Sequence, residues 1–369
     1  LTLSVFIDFD RQGNSLATQI YKSFIKSRRR FTYTEVAGLL KKGSNKKNDY
    51  PFLQTLTDMY HLSQTLRKRR FKNGSVDFHV PEPDIQIEDG KVKQIEIVEH
   101  NAAHQVIEEF MLAANQAVAL NLYEKDIPCI HRIHEPPDPT KIFEFKEFIS
   151  SLGLRLSDSG KIRSKDLNTL LKKIQDTPEE RVVNTLLLRT MKKARYSPSD
   201  PGHYCLGFTH YAHFTSPIRR YPDLIVHRIV KKYLKHKCSK KEKKALQSSL
   251  SEISEQSTQM EIQAMSIERE IISLRRAQFM MDKIGKTFYG IITGVASFGF
   301  FVELENVFVE GLVKVSSIMD DYYLFIETEH KLIGQKFHRV FQIGNRVKVR
   351  VKDITLSKRQ IDLQVVREA

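Results

Sequence analysis

Residues 211 to 224 read Tyr-Ala-His-Phe-Thr-Ser-Pro-Ile-Arg-Arg-Tyr-Pro-Asp-Leu, a run that gathers aromatic, hydroxyl and guanidinium groups. An aromatic entry of Tyr211, His213 and Phe214 meets Thr215-Ser216-Pro217. Ser or Thr before Pro is a common way to cap and open a helix. Ile218, Leu224, Ile225, Ile229 and Val230 follow at roughly helical spacing, which predicts a helix with Arg219 and Arg220 in its first turn. Two cations at that end oppose the helix dipole, which favours anions there. A bound phosphate would account for them, because helix amides and a guanidinium fork converge on one anion. Pairing of both arginines with carboxylates elsewhere in the fold is the plainer account.

Two other constellations carry chemistry. His100, His104 and Glu108 are spaced i, i+4, i+8, which would put three ligand-type side chains on one helix face. Such spacing without a further ligand motif is weak support for a metal, and none is assigned. Asp8 and Asp10 form a pair of carboxylates at the end of a strand-like run. No further carboxylates crowd around them, so they are not read as a metal site either.

The elements that must position these groups are legible in outline. Leu3, Val5, Ile7 and Phe9 alternate as in a strand before a turn at Gly13-Asn14. Residues 41 to 50 read as a polar loop. Residues 51 to 70 read as a helix, and Gly74 to Phe78 as a short strand after a Gly turn. A hairpin around Glu88-Asp89-Gly90 spans 81–97. The broad apolar stripe from Ala102 to Val118 predicts a central helix over 99–122. A strand and Pro-rich turn at 127–140 precede helices at 139–152, 165–175 and 178–193. A loop, Ser197 to His203, and a short strand, Tyr204 to Phe208, lead into the arginine-bearing run. A basic loop, Lys235 to Lys244, then precedes a long helix over about 245–283. The last 85 residues alternate Val, Ile and Phe with Gly at turns and read as all-β.

The bulk numbers narrow the function class. A chain of 369 residues with 41% hydrophobic content has room for two or three real cores. No apolar run is long enough to span a membrane. Cys129, Cys205 and Cys238 are an odd, widely spaced set that suits neither a disulfide framework nor a metal motif. This predicts a cytoplasmic setting. The net charge of +15 favours a polyanion, most simply nucleic acid. The charge is clustered in runs at Lys26 to Arg30, Arg67 to Lys72 and Lys231 to Lys244.

The run YAHFTSPIRRYPDL resembles the signature of the RNase II / RNase R family of exoribonucleases, in their RNB domain. The likeness continues over nearly the whole chain. It implies that Arg219 contacts the scissile phosphate as a catalytic residue. It also implies that Tyr211, His213, Phe214, Thr215, Ser216, Pro217 and Arg220 surround the RNA 3′ end. Residues 21–40 resemble a family strand followed by a helix. HxxIEExMxxAN is a familiar RNB stretch, in which Glu108 resembles a channel residue and Asn115 a packing or channel residue. Phe78, in a G-x-x-D-F segment, matches an aromatic that stacks on a base, and Arg132 and His134 match a strand ending in R-x-H. Glu268 of the Glu268-Arg269 pair is carried over as an active-site neighbour, against the plainer reading of a surface carboxylate.

Gly290 to Leu304 and Gly311 to Ser317 are similar to the S-one type of OB-fold RNA-binding domain, with an inserted segment at 319–335. Phe298 and Phe301 match its stacking positions, and Lys314 stands where many such domains have His. The implied fold is α/β (α+β), an RNB catalytic-domain portion over 1–283, followed by an all-β five-stranded OB barrel over 284–369. The implied function is processive 3′-to-5′ hydrolysis of single-stranded RNA to nucleoside 5′-monophosphates, by a monomer without a membrane partner. The family gathers aspartates around Mg²⁺, and no comparable cluster is found in this sequence. The chain is therefore expected to be the C-terminal part of a larger enzyme and inactive alone. The alternative is a non-catalytic RNA-binding protein derived from the same fold.

Overall fold

The computed structural model describes residues 1–41, 52–76, 83–97, 100–156, 162–175, 177, 179–234, 236–305 and 307–366. The chain opens on an antiparallel hairpin of β1 (Thr2–Phe9) and β2 (Ser15–Ser23). Asp10 closes the turn by accepting from the Gln12 and Asn14 amides. The Asn14 hydrogen bonds hold its carboxyl below the usual range. Asp8 is exposed on β1, so the two aspartates serve a strand and its turn.

Helices α1 (Tyr33–Lys41) and α2 (Leu53–Lys72) follow, then the hairpin of β3 (Pro83–Glu88) and β4 (Lys91–Ile97). Its Asp89-Gly90 turn has both φ positive, as a two-residue hairpin requires. Gly74 to Val76 is a turn and an irregular segment rather than the start of a strand. The remainder of that expected strand, Phe78 included, lies outside the described residues, as does most of the 41–50 loop.

Helix α3 (Ala102–Glu124) opens one residue after Asn101, whose side chain accepts from the Ala103 and His104 amides. The cap leaves His100 outside the helix, although its ring still meets that of His104 edge-on at 5.5 Å. His104 instead completes the capping box with Asn101, and Tyr33 stacks on its ring at 3.9 Å. Strand β5 (His131–Ile133) pairs with β6 (Arg195–Ser197). Between them α4 (Pro139–Ser151), α5 (Ser164–Ile174) and α6 (Glu180–Thr190) build a helical core on Phe145, Ile149, Leu167, Leu170, Val183 and Leu187. Tyr204–Leu206 is a single 3-10 turn, not the expected strand, although His203 and Phe208 bridge each other across it.

Helix α7 is Tyr221–Tyr233, with Arg220 at its N-cap and a proline in its first turn. The start predicted at Thr215-Ser216-Pro217 is five residues early. Ser216 to Arg220 forms a separate turn, in which the Ser216 carbonyl accepts from the Arg219 and Arg220 amides. Pro222 is the proline that opens the helix. Ile218, read among the apolar positions of that helix, is fully exposed on that turn.

Helix α8 (Lys240–Met280) runs 41 residues, about 60 Å. It begins inside the expected basic loop, because Ser239 and Glu242 form a capping box. Near its start Leu250 is buried with α3 and α7, and near its end Ala277 and Met280 enter the barrel core. The helix thus joins two cores rigidly. The barrel is closed by β7 (Thr287–Ala296), β8 (Gly299–Leu304), β9 (Val309–Lys314), β13 (Arg346–Thr355) and β14 (Gln360–Val365). A Cβ at Gly299 would lie 2.2 Å from the Val313 carbonyl oxygen, so only glycine fits that β7–β8 turn. The inserted segment carries β10 (Tyr323–Ile326) and β11 (Lys331–Gly334), and β12 (Val340–Gln342), beyond the expected insertion, completes a three-stranded sheet with them.

Candidate nucleic-acid interface

The arginine-bearing run is a loop pinned from behind. Asn115, buried on α3, donates to the Tyr211 hydroxyl at 3.1 Å. Its Oδ1 accepts from the Phe214 amide at 2.8 Å and the Thr215 amide at 3.2 Å. From α7, the His227 ring donates to the Phe214 carbonyl at 2.8 Å and stacks on the Phe214 ring at 4.2 Å. Asp223 is fully buried in the first turn of α7. It accepts from the Ser216 amide and from the Arg220 guanidinium, both at 2.8 Å. Buried polar groups are as a rule hydrogen-bonded, and here the bonds to Asn115, His227 and Asp223 set the loop's path.

The two arginines therefore divide the alternatives. Arg220 is neutralised by Asp223. Arg219 is exposed, and among the described residues it has no carboxylate partner. A third guanidinium, Arg132 on β5, lies 4.7 Å over the Tyr196 ring and pairs with Glu261 of α8 at 2.6 Å. The Arg132 amide also binds the Tyr211 carbonyl.

Beneath these cations His213 shares a 3.0 Å hydrogen bond with the Tyr196 hydroxyl. Burial first, then Arg220 and Arg132, drive the His213 pKa down to about 2. Burial raises the Tyr196 hydroxyl to about 12, so both partners are neutral. His203, edge-on to Tyr211 and stacked on His134, is pushed down to about 3, mainly by burial. The loop floor is thus kept uncharged under a cationic rim.

This has a consequence for acid stability. Above pH 6.5 the two histidines are neutral in folded and unfolded chains alike. Below it the unfolded chain takes up protons that the folded one refuses until about pH 3 for His203 and about pH 2 for His213. Stability is lost as pH falls, by up to about 1.4 kcal/mol per pH unit for each histidine. Urea unfolding at pH 7.5 and 5.5 is expected to show this drop, with a shallower one in His213→Asn. An equally steep drop in that variant would remove His213 from the account.

The other sequence-predicted residues are dispersed. Glu108 is half exposed on α3, 3.6 Å from Arg70. Its neighbour Glu109, not singled out in the sequence, is buried and takes Arg70 through both carboxylate oxygens. Pro217 lies in the turn before Arg219. Glu268 is exposed on α8, two turns beyond Glu261. On the barrel Phe298 is exposed and meets Phe301 edge-on at 6.2 Å, while Phe300 between them is buried. Lys314 pairs with Asp362 at 2.7 Å. Glu261, Tyr196 and Asp223 were missed as site residues. Asp223 had a signal, an acid three residues after Arg220 in a first helical turn, whereas Glu261 sits 129 residues from Arg132.

A helical and hairpin-bearing domain with a cationic pinned loop, joined by α8 to a closed five-stranded barrel, is the architecture of an RNB domain followed by an OB-type barrel. The RNB domain family matches residues 1–236, and the S1 RNA binding domain family matches residues 281–365. The chain belongs to the RNase II / RNase R family. It is 39% identical to ribonuclease R of Aquifex aeolicus over 100% of this chain and 52% of that protein. The apo form of Mycoplasma genitalium RNase R superposes with a TM-score of 0.92 at 29% identity, over 99% of this chain and 57% of that one. The complex of that enzyme with ribose methylated single-stranded RNA gives the same values. The chain spans about half the length of the curated relatives it matches.

Proposed function

We propose that this chain supplies the wall that holds an RNA 3′ end, and the terminal RNA-binding barrel, of a 3′-to-5′ hydrolytic exoribonuclease releasing nucleoside 5′-monophosphates. The observation that carries the reading is Arg219, an exposed guanidinium with no carboxylate partner among the described residues, on a loop fixed by Asn115, His227 and Asp223. Arg219 binds the scissile phosphate and offsets the charge that develops on it. Tyr211, His213, Phe214, Thr215, Ser216, Pro217 and Arg220 give that contact its geometry. Glu108 and Glu268 border the path of the strand, and Phe78 is offered to a base. Phe298 and Phe301 stack on bases at the barrel, with Lys314 near the backbone. The substrate is single-stranded RNA and the working unit a cytoplasmic monomer, divided into 1–283 and 284–369.

Mg²⁺ held by carboxylates would supply an activated water in such a reaction. The residues here do not fit that role. Among the described residues no three ligand-type side chains gather into a metal site. Asp223 keeps one oxygen without a hydrogen-bond partner among them, but it stands alone. This chain is expected not to hydrolyse RNA alone. The same observation favours a second reading, a non-catalytic RNA-binding protein that uses the same loop and barrel.

The test is a 5′-labelled single-stranded RNA incubated with the chain in Mg²⁺, with and without EDTA. Retardation on a native gel without shortening on a denaturing gel is the expected result. An EDTA-sensitive ladder would show that the chain holds its own metal ligands. Absence of binding would sink both readings.

A further inference from the structure

From Arg11 to Thr34 the chain contains no acidic residue and six cations: Arg11, Lys22, Lys26, Arg28, Arg29 and Arg30. Residues 24 to 32 belong to no helix or strand, and every residue from 24 to 30 is exposed. The segment is nonetheless tied at its far end. Arg29 pairs with Glu35 and lies 4.5 Å over the Phe31 ring. Thr32 Oγ1 accepts from the Glu35 amide at 3.2 Å. Tyr33 then stacks on His104, in the first turn of α3. Among the described residues, Lys26, Arg28 and Arg30 have no carboxylate partner.

We propose that residues 24–30 form an arm that grips the phosphate backbone of single-stranded RNA, a subsite separate from the Arg219 loop and from the barrel. This rests on the RNA-binding reading above. Like charges crowded on an exposed segment repel one another, and a polyanion relieves the repulsion while releasing its own counterions. Phe24 is 86% exposed among these cations, and an exposed ring beside cations suits a base that leaves its stack. The arm and the loop are also held by the same helix. The Tyr33–His104 stack fixes the arm to the start of α3, and Asn115, which pins the loop, lies about 16 Å further along the same helix. One rigid helix therefore sets the spacing between two cationic contacts on one strand.

The test compares the chain with its triple variant Lys26→Gln, Arg28→Gln, Arg30→Gln. Each binds a single-stranded RNA oligonucleotide over a series of salt concentrations. Taking three cations away from the phosphates of a single strand lowers the slope of log K against log salt by about 2. A charge-conserving variant, Lys26→Arg with Arg28→Lys and Arg30→Lys, is expected to keep the wild-type slope. Thermal unfolding is expected to be the same in all three, because the arm belongs to no core. A wild type that binds RNA and a triple variant with an unchanged slope would overturn the arm alone, returning it to an acidic protein surface or to solvent. A wild type that binds no RNA would overturn the arm and the function together.

Discussion

Asp223→Ala is expected to destabilise the chain by about 3–5 kcal/mol, among the largest losses a single residue can cause. Asp223 is fully buried and answers two donors at once, the Ser216 amide and the Arg220 guanidinium. Alanine would strand a cation with little access to water and leave a backbone amide unmatched. The damage should be local as well as global, because these two hydrogen bonds shape the turn that displays Arg219. Asp223→Asn keeps an acceptor for the Ser216 amide and is expected to lose less. Urea unfolding followed by circular dichroism gives the stabilities. An alanine variant within about 1 kcal/mol of wild type would mean that the pair is not what holds the turn.

Arg219→Ala is expected to leave stability unchanged, since the side chain is exposed and has no ion pair among the described residues. Its effect should fall on RNA. In a longer family protein that contains this segment and a metal site, turnover is expected to drop about 10²–10³-fold, the usual cost of removing one donor that stabilises developing charge. Arg219→Lys should rescue little, because an ammonium cannot reproduce a planar two-pronged contact with phosphate. Single-turnover assays on a 5′-labelled RNA separate this loss from weaker binding. Rescue to wild-type rate by lysine would reduce the contact to simple charge. An unaffected alanine variant would take Arg219 out of the chemistry.

Local signals were legible in this sequence where they were unopposed. The hairpin around Asp89-Gly90, the apolar stripe of α3 and the β-rich character of the last 85 residues all form where the pattern predicts them. Where two start signals competed, the pattern misled. Thr215-Ser216-Pro217 and Tyr221-Pro222 both announce a helix, and the carboxylate of Asp223 decides between them by reaching back to the Ser216 amide. His100 lost its place on a ligand face to an Asn101 cap one residue later. Strands as short as β6 have too few residues to show a period, and its pairing with β5 is made at a distance of more than sixty residues. The candidate site was half legible for the same reason. Tyr211 to Arg220 lie together in sequence, whereas Asn115 and Tyr196 meet them only through packing, and Glu261 reaches the site only through Arg132.

The barrel's connectivity also dictates an order of events. Strand β14 joins β9 to β13, pairing with β9 in parallel and with β13 antiparallel. A chain emerging from the ribosome can form the β7–β8–β9 meander early, but its ring stays open until residues 360–365 are free. Until then β9 and β13 present bare edges able to recruit strands from other nascent chains. Synthesis that stalls between residues 355 and 360 would yield a product with a folded front and an adhesive rear, the kind of intermediate that chaperones shield.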